Sequence, residues 1–248
     1  MEIPRNTFYG SIVIMKKEGV PMNTLIDIGC ADGTFSLHCT EIFGKSMTLF
    51  NIDAQAVYEP SLRKIKEKLG GYYKIAAVSA FDGQVKFSVG PHPYWASAAS
   101  GENFQYIESV TLDSLLKNLQ LPEPYLIKMD IECGEFGALQ GAISTLEKTS
   151  ALILETNIFA GNGSGSFLDI YNFLAARNFS LFDITGLAFR ETDMALYQIY
   201  TAFLNKKYEF RDKKGLVANE QSQDNLTAMM RQRRQELIEK NEQILSKY

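Results

Sequence analysis

Residues 25–35 read Leu25-Ile26-Asp27-Ile28-Gly29-Cys30-Ala31-Asp32-Gly33-Thr34-Phe35. A short apolar run ends in a glycine turn and then continues into a second apolar segment. This pattern is typical of a buried strand, a tight turn and a helix at the edge of a parallel sheet. Gly29 and Gly33 allow the backbone to bend sharply and allow a ligand to lie close against it. The stretch therefore predicts an α/β fold that binds a ligand near this turn.

An acidic residue closes the next apolar run. Asp53 lies 24 residues after Gly29 and directly follows the strand-like residues 47–52. In open α/β folds, a carboxylate at the end of the second strand holds the hydroxyls of a ribose. The two segments together predict a nucleoside-binding site.

The spacing of the small residues indicates which nucleoside is bound. The dinucleotide fingerprint G-x-G-x-x-G fits poorly, because Ala31 replaces its middle glycine and Thr34 its last. Asp27, two residues before Gly29, would repel a pyrophosphate and suits a ligand that carries a cationic group. The arrangement Asp27-x-Gly29-x-Ala31-x-Gly33 instead resembles motif I of class I methyltransferases that use S-adenosylmethionine. A structural glycine turn in another α/β enzyme is the alternative.

The composition is that of a globular protein. The chain has 248 residues, of which 46% are hydrophobic and 22% charged, and this suits one sizeable domain. The cysteines Cys30, Cys39 and Cys133 show neither metal-ligand spacing nor a disulfide framework. A signal-peptide pattern and an apolar stretch of membrane-spanning length are both lacking. We therefore expect a reduced, cytoplasmic protein without a membrane span.

Charge is divided unevenly along the chain. Residues 205–248 hold ten Lys/Arg and seven Asp/Glu, a net charge of +3, whereas residues 1–204 carry a net charge of −7. An acidic body argues against a nucleic-acid polymer as the main substrate. No nucleic-acid partner is therefore expected.

Strand-like and helix-like segments alternate, which predicts a doubly wound, mostly parallel seven-stranded sheet with a C-terminal antiparallel hairpin. The strand-like segments are residues 24–28, 47–52, 74–78, 84–89 (an edge strand), 125–129, 151–155, 180–184 and 196–204. The helix-like segments are residues 6–20 (a lead-in helix), 35–43, 60–69, 111–119, 135–147 and 167–177. Residues 1–204 would then form one domain, followed by a helical C-terminal extension over residues 205–248.

The C-terminal extension contains a long helix-like segment, residues 222–246. Leu226, Met230, Leu237 and Ile244 lie near heptad spacing within it. A helix with so narrow an apolar face usually packs on its own domain or on a partner. We expect an arm for docking or homo-oligomerisation, and a partly disordered tail is the alternative.

Four ionisable residues cluster at the end of the strand over residues 125–129. This apolar strand delivers Lys128, Asp130, Glu132 and Glu135 to the carboxyl edge of the sheet, where open α/β folds bind ligands. Such groups would be costly in a closed core, so we expect them to line a cleft. The alternative for Glu132 or Glu135 is a favourable interaction with a helix N-terminus.

Four blocks of sequence resemble the FkbM family of S-adenosylmethionine-dependent methyltransferases. They are the glycine loop over 27–33, Val110-Thr111-Leu112-Asp113, the charged block over 128–135 and Leu152-Ile153-Leu154-Glu155. The blocks occur in order, and the resemblance extends over residues 8–205. The chain departs from the family at two positions: Cys133 stands where a glycine is usual, and Asp53 where a glutamate is commoner.

The resemblance implies O-methylation of a hydroxyl on a sugar, glycan or glycosylated metabolite, with S-adenosylmethionine as cofactor. The protein then aligns the acceptor with an activated methyl group, and a general base helps. Asp130 is the first choice for a base or a cofactor contact and Glu132 the second, while Lys128 would orient a carboxylate or lower the pKa of the acceptor. The expected cofactor-binding residues are Asp27, Gly29, Cys30, Ala31, Gly33, Asp53, Ala77 and Asp130.

Activity is expected to be independent of metal. Asp130, with Glu155 and Asn157 at the end of the following strand, would supply oxygen ligands suited to Mg²⁺. A hydrogen-bond network in the cleft is the preferred interpretation of these side chains.

Two loops are candidates for the acceptor site. Residues 90–100 contain His92, a candidate base, and Trp95, whose face suits a sugar ring, although a plain surface loop fits them equally. The glycine-rich residues 161–166 follow a strand on the ligand edge and are predicted to act as a lid.

Two other functions stay open on the sequence. One is a nicotinamide-dependent oxidoreductase on the same kind of fold, against which the missing third glycine counts. The other is a non-catalytic S-adenosylmethionine-binding module that recruits a partner through its C-terminal arm.

Overall fold

A computed structural model describes residues 3–88, 104–132, 134–160, 165–213, 215 and 220–245. The chain divides into two compact units, Met1–Tyr208 and Glu209–Tyr248. The first unit contains the sheet and the candidate site, and the second contains one long helix.

The first unit has ten strands and seven helices among its described residues. The strands are β1 Thr24–Ile28, β2 Thr48–Asp53, β3 Tyr72–Ile75, β4 Ala77–Val78, β5 Gly83–Ser88, β6 Phe104–Val110, β7 Tyr125–Met129, β8 Thr149–Asn157, β9 Phe179–Phe189 and β10 Leu196–Asn205. The helices are α1 Phe8–Lys17, α2 Thr34–Phe43, α3 Glu59–Leu69, α4 Leu112–Leu116, α5 Glu135–Gln140, α6 Ile143–Glu147 and α7 Phe167–Ala175.

Seven strands form the main sheet in the order β3-β2-β1-β7-β8-β10-β9. The pairs from β3 to β8 are parallel, and β10 runs antiparallel to both β8 and β9. This arrangement confirms the predicted mostly parallel sheet with a terminal hairpin.

The central strands are buried along their whole length. Every residue of β1 and β7 is buried, as expected for parallel strands covered on both faces. Their register places Asp27 beside Lys128, so opposite charges pair between neighbouring strands within the core. The carboxyl ends of β1, β2 and β7 lie side by side and form the edge at which the site is built.

The segment between β3 and β7 differs from its prediction. The strand predicted over residues 74–78 is divided, because β3 ends at Ile75 in the main sheet and β4 pairs with β6 in a second sheet. That second sheet has the order β4-β6-β5, so residues 84–89 do not extend the main sheet. β6 is missing from the prediction, because Gln105, Glu108 and Ser109 interrupt its apolar residues and leave no apolar run.

The helix predicted over residues 135–147 is two helices, α5 and α6. Gly141 packs so closely on the residue after β4 that a Cβ there would lie 2.2 Å from the carbonyl oxygen of Ser79. Asp113 then starts α6, since its carboxylate accepts the backbone N–H groups of Ser144 and Thr145 at 2.9 and 2.8 Å. Two of the residues in the block over 110–113 are thus helix caps, because Thr111 also caps α4.

The lead-in helix α1 packs against the C-terminal hairpin. Thr7 caps its N-terminus by accepting the N–H of Gly10 at 3.1 Å. Ser11 donates to Asp183 in β9 at 2.7 Å, and Arg5 pairs with the same carboxylate. This docking brings Phe8 and Tyr9, at the start of α1, to the ligand edge of the sheet.

The second unit contains α8, Glu220–Leu245. Its apolar side chains Met229, Met230, Leu237 and Ile238 are exposed. A role in homo-oligomerisation stays a prediction. Among the helices described for this chain, none is both long and apolar enough to cross a membrane.

Candidate active site

A cavity of about 540 Å³ opens at the carboxyl edge of β1, β2 and β7. It receives residues from α1, the glycine turn, the end of β2, β5, β7, β8 and β10. The polar side chains that line it are mainly acidic: Asp32, Asp53, Asp130, Glu132 and Glu155, with Lys128 as the basic residue.

The glycine turn passes directly beside the end of β7. Gly29 has a φ of +71°, and a Cβ on it would lie 1.9 Å from the carbonyl oxygen of Asp130. The N–H groups of Gly29 and Cys30 both donate to the carbonyl of Ile52 at the end of β2, at 2.9 and 3.2 Å. Glycine is required at position 29 because both the backbone conformation and the close approach exclude a side chain.

Asp53 closes the second side of the turn. Its Oδ2 accepts the N–H of Ala31 and its Oδ1 that of Gln55, each at 2.8 Å. The side chain is nearly buried, and burial raises the pKa of its carboxyl above the ordinary value. Each oxygen has a further lone pair, so the carboxylate can accept ribose hydroxyls while it holds the backbone.

Lys128 lies between two carboxylates. Its Nζ is 3.8 Å from Asp27 Oδ1 and 3.3 Å from Asp130 Oδ2, and it donates to the carbonyl oxygen of Gly29 at 3.2 Å. Burial alone would lower the pKa of Lys128, but the charges of Asp27 and Asp130 raise it above its ordinary value. The ammonium therefore stays charged and joins β1, β7 and the glycine turn.

Asp27 lies beneath the glycine turn, below the cavity. It is fully buried, accepts a hydrogen bond from Ser36 Oγ at 3.0 Å and does not line the cavity. Burial raises the pKa of its carboxyl to about 6, although Lys128 acts in the opposite direction. Asp27 lies in β1, and its side chain points towards Ser36 in α2, so its carboxylate lies beneath the turn.

Three carboxylates meet in the cavity. One oxygen from each of Asp130, Glu132 and Glu155 lies within 4.8 Å of the other two, and we call these residues the carboxylate cluster. Glu155 is 9% exposed, and its Oε2 has no hydrogen-bond partner. Burial, followed by the charges of Asp130 and Glu132, raises the pKa of Glu155 to about 9.

Glu132 and Glu135 have different roles, although they lie three residues apart. Glu132 lines the cavity and has a φ of +54°, a conformation that is rare for a residue with a side chain. Glu135 is buried and accepts the N–H of Ile131 at 2.8 Å, which closes the turn between β7 and α5. Burial is the main reason that the pKa of Glu135 rises to about 7.

An aromatic wall faces the carboxylate cluster. The ring of Phe8 lies 4.8 Å from that of Tyr200 and 5.8 Å from that of Phe35, while Tyr9 stacks on Phe35 at 5.4 Å. Tyr200 also donates to Asp130 Oδ2 at 2.8 Å. Sequence reasoning missed Phe8, Tyr9 and Tyr200, because they come from the two ends of the domain. The one available signal was the position of Tyr200 in the closing hairpin.

The structure brings most of the predicted site residues together. The cavity is lined by Gly29, Cys30, Ala31, Asp53, Lys128, Asp130 and Glu132. Three predicted cofactor-binding residues do not line it: Asp27 lies below the turn, Gly33 packs against Ile65, and Ala77 lies in β4 of the second sheet. Cys133, the loop over 90–100 with His92 and Trp95, and residues 161–164 of the predicted lid lie outside the described residues.

Comparison with known families gives one match. The family described as "Methyltransferase FkbM domain" matches residues 18–181 of the chain. This range contains the glycine turn, Asp53 and the whole carboxylate cluster. A search of curated proteins gives no match.

Many solved structures are similar to this chain. Magnesium protoporphyrin IX methyltransferase from Synechocystis PCC 6803 with bound SAM is 14% identical, with 79% of this chain and 77% of that chain covered and a TM-score of 0.41. TrmK from M. capricolum is 10% identical, with 77% and 67% covered and a TM-score of 0.42. Precorrin-6y C5,15-methyltransferase from Geobacter metallireducens GS-15 is 11% identical, with 82% and 92% covered and a TM-score of 0.44. Similarity at this level says nothing about the substrate.

Proposed function

The chain belongs to the FkbM methyltransferase family, and from this we propose that it transfers a methyl group from S-adenosylmethionine to a hydroxyl of a sugar, a glycan or a glycosylated metabolite. One observation carries the proposal: the glycine turn, Asp53 and the carboxylate cluster line the same cavity. Family membership speaks against the oxidoreductase alternative, since the matched family is one of methyltransferases.

The residues that line the cavity fit S-adenosylmethionine. The volume of the cavity, about 540 Å³, is typical of small-molecule sites. Asp53 is available to accept the ribose hydroxyls at the end of β2. The excess of carboxylates around Lys128 suits the cationic end of this nucleoside, whereas a pyrophosphate would be repelled.

S-adenosylmethionine supplies, when bound, a methyl group on a cationic sulfur, so that the C–O bond forms as the S–C bond breaks and the bonding electrons stay on sulfur. The residues of the chain then have two tasks, which are to align the acceptor oxygen and to remove its proton. The aromatic wall of Phe8, Phe35 and Tyr200 offers apolar faces on which a sugar ring can lie.

We propose that Glu132, rather than Asp130, is the base that removes the proton of the acceptor hydroxyl. Burial and the charge of Asp130 raise the pKa of Glu132, which makes its carboxylate a better base. Oδ2 of Asp130 is already engaged by two donors, since Tyr200 donates to it at 2.8 Å and Lys128 Nζ lies 3.3 Å away. Asp130 and Lys128 are therefore positioning groups, and the order of preference drawn from the sequence is reversed.

Calorimetric titration of the full chain tests the cofactor. We expect micromolar binding of S-adenosylhomocysteine and S-adenosylmethionine and no binding of NAD⁺. Asp53→Asn should weaken the binding of S-adenosylhomocysteine at least tenfold, whereas Asp193→Asn, an exposed aspartate outside the cavity, should leave it unchanged. Binding of NAD⁺ alone, or of neither ligand, would contradict the proposal.

A screen of acceptors tests the reaction. Hydroxylated sugars and glycosylated metabolites are incubated with the chain and S-adenosylmethionine, and products are detected by the mass of one added methyl group. Glu132→Gln should lower the rate constant for the methylated acceptor while leaving the affinity for S-adenosylhomocysteine within threefold. Methylation of amines alone would contradict the proposed acceptor class.

A further inference from the structure

We propose that Asp130, Glu132 and Glu155 bind one divalent cation, Mg²⁺ or Mn²⁺, within the cavity. The role that we give this cation in activating an acceptor hydroxyl rests on the proposed function. Its binding does not, and can be measured without turnover. The proposal replaces the expectation of a metal-independent site.

The geometry of the carboxylate cluster comes close to that of a hard-cation site. Asp130 and Glu132 lie in the turn between β7 and α5, and Glu155 belongs to the neighbouring strand β8, so two segments present the three carboxylate oxygens. These oxygens lie within 4.8 Å of one another. Ligands on opposite sides of Mg²⁺ lie about 4 Å apart, so small side-chain movements would complete the coordination.

A buried oxygen without a partner supports the same conclusion. Oε2 of Glu155 makes no hydrogen bond, although the side chain is about nine-tenths buried and lies close to the other two carboxylates. A buried acceptor left without a partner costs about 1–3 kcal/mol, and more when the group is charged. A cation at the cluster would satisfy this oxygen, because carboxylate oxygens are the preferred ligands of Mg²⁺ and Mn²⁺.

The charge balance of the cavity favours a divalent ion. Among the described residues that line the cavity, five are acidic and Lys128 is the basic one. Lys128 is occupied by Asp27, Asp130 and the carbonyl of Gly29, which leaves the carboxyl groups of Glu132 and Glu155 without a neighbouring ammonium. Two positive charges at the cluster would offset the negative charge of these two groups once both are ionised.

The cation would share its site with the acceptor. Three protein oxygens leave several positions of an octahedral ion to water, and an acceptor hydroxyl can replace one of these waters. A hydroxyl bound to the ion has a lowered pKa, so its proton leaves more easily. Each carboxylate ligates through one oxygen, and the second oxygen of Glu132 remains to take that proton.

Binding of Mn²⁺ to the metal-free chain tests the site. The full chain is treated with a chelator, dialysed, and titrated with Mn²⁺ under electron paramagnetic resonance, with and without S-adenosylhomocysteine. We expect one saturable site that Mg²⁺ displaces. Glu155→Gln, which keeps the shape and removes the carboxyl ligand, should weaken binding at least tenfold, whereas Glu147→Gln, at an exposed residue of α6, should not.

Glu132→Gln is the second variant, used if circular dichroism shows that Glu155→Gln does not fold. Absence of saturable Mn²⁺ binding, or binding that neither variant weakens, would overturn the site. If the chain binds S-adenosylhomocysteine but does not bind Mn²⁺, the proposed function remains intact and the metal site is refuted. If the chain binds Mn²⁺ at the cluster but does not bind S-adenosylhomocysteine, the metal site is supported and the proposed cofactor is contradicted.

Discussion

Tyr200 donates a hydrogen bond to Asp130, with Oη 2.8 Å from Oδ2. The two residues are 70 positions apart, and β8 lies between the strands that carry them. A hydroxyl from the C-terminal hairpin thus holds a carboxylate at the end of β7. The position of Asp130, and with it the shape of the carboxylate cluster, therefore depends on the correct docking of β10.

Tyr200→Phe removes this donor while keeping the ring against Phe8. Because a hydrogen bond to a charged group contributes about 1.5–3 kcal/mol, we expect the free energy of unfolding to fall by about 2 kcal/mol. Urea denaturation measures the change. Tyr197→Phe, an exposed position on the same strand, is the control and should change stability by less than about 0.5 kcal/mol. Equal losses in the two variants would show that the Asp130 contact adds no stability.

Gly29→Ala and Gly44→Ala separate conformation from close approach. Both glycines have positive φ, +71° and +77°, so both substitutions carry a backbone cost of about 1–3 kcal/mol. Only at Gly29 would the new Cβ meet another atom, the carbonyl oxygen of Asp130 at 1.9 Å, while the space around Gly44 is open. We expect Gly44→Ala to bind S-adenosylhomocysteine normally and Gly29→Ala to lose binding or to unfold. Calorimetry and thermal melts distinguish these outcomes, and similar behaviour of both variants would refute the argument.

Local sequence predicts the central strands well, because their signal is complete within a few residues. The predicted bounds of β1 and β7 agree with the structure residue for residue, since both are wholly buried and mostly apolar segments bounded by turns. β6 could not be found in this way, because Gln105, Glu108 and Ser109 interrupt its apolar residues and leave no apolar run. The break between α5 and α6 is set by Gly141 and by Asp113, neither of which leaves a local pattern.

The same distinction applies to the site. Gly29 and Asp130 follow directly after buried strands and Asp53 ends one, so the strand prediction places them at one edge of the sheet. Tyr200 reaches that edge only because β10 inserts between β8 and β9, an order that pairing patterns in the sequence do not specify. The convergence of Glu155 on Asp130 likewise depends on which strands are neighbours.

Lys128→Met tests the buried charge network. The substitution leaves Asp27 fully buried without its ammonium partner, and breaking a buried ion pair in this way costs about 3–5 kcal/mol. We expect a loss of this size in urea denaturation. Adding Asp27→Asn should recover part of it, because the unpaired charge is then removed. Lys74→Met, which breaks the exposed pair with Glu108, is the control and should cost less than about 1 kcal/mol. No recovery in the double variant would show that packing, not charge, explains the loss.

Glu135→Gln tests the pH dependence of stability. The folded chain holds the pKa of Glu135 at about 7, mainly through burial, against an ordinary value of 4.5. Between pH 4.5 and 7 the unfolded chain releases this proton while the folded chain keeps it, so stability falls as pH rises through this window and is level above it. Glutamine can still accept the N–H of Ile131 but does not titrate.

The variant should therefore resemble the wild type near pH 4.5 and be the more stable protein at pH 7.5. Urea denaturation at half-unit steps measures the difference, in which the contributions of Asp27 and Glu155 cancel because both chains contain them. Glu147→Gln, at an exposed position, should follow the wild type at every pH. Parallel curves for Glu135→Gln and the wild type would mean that Glu135 is ionised in the folded chain, and that the turn before Glu132 is held by a charged carboxylate.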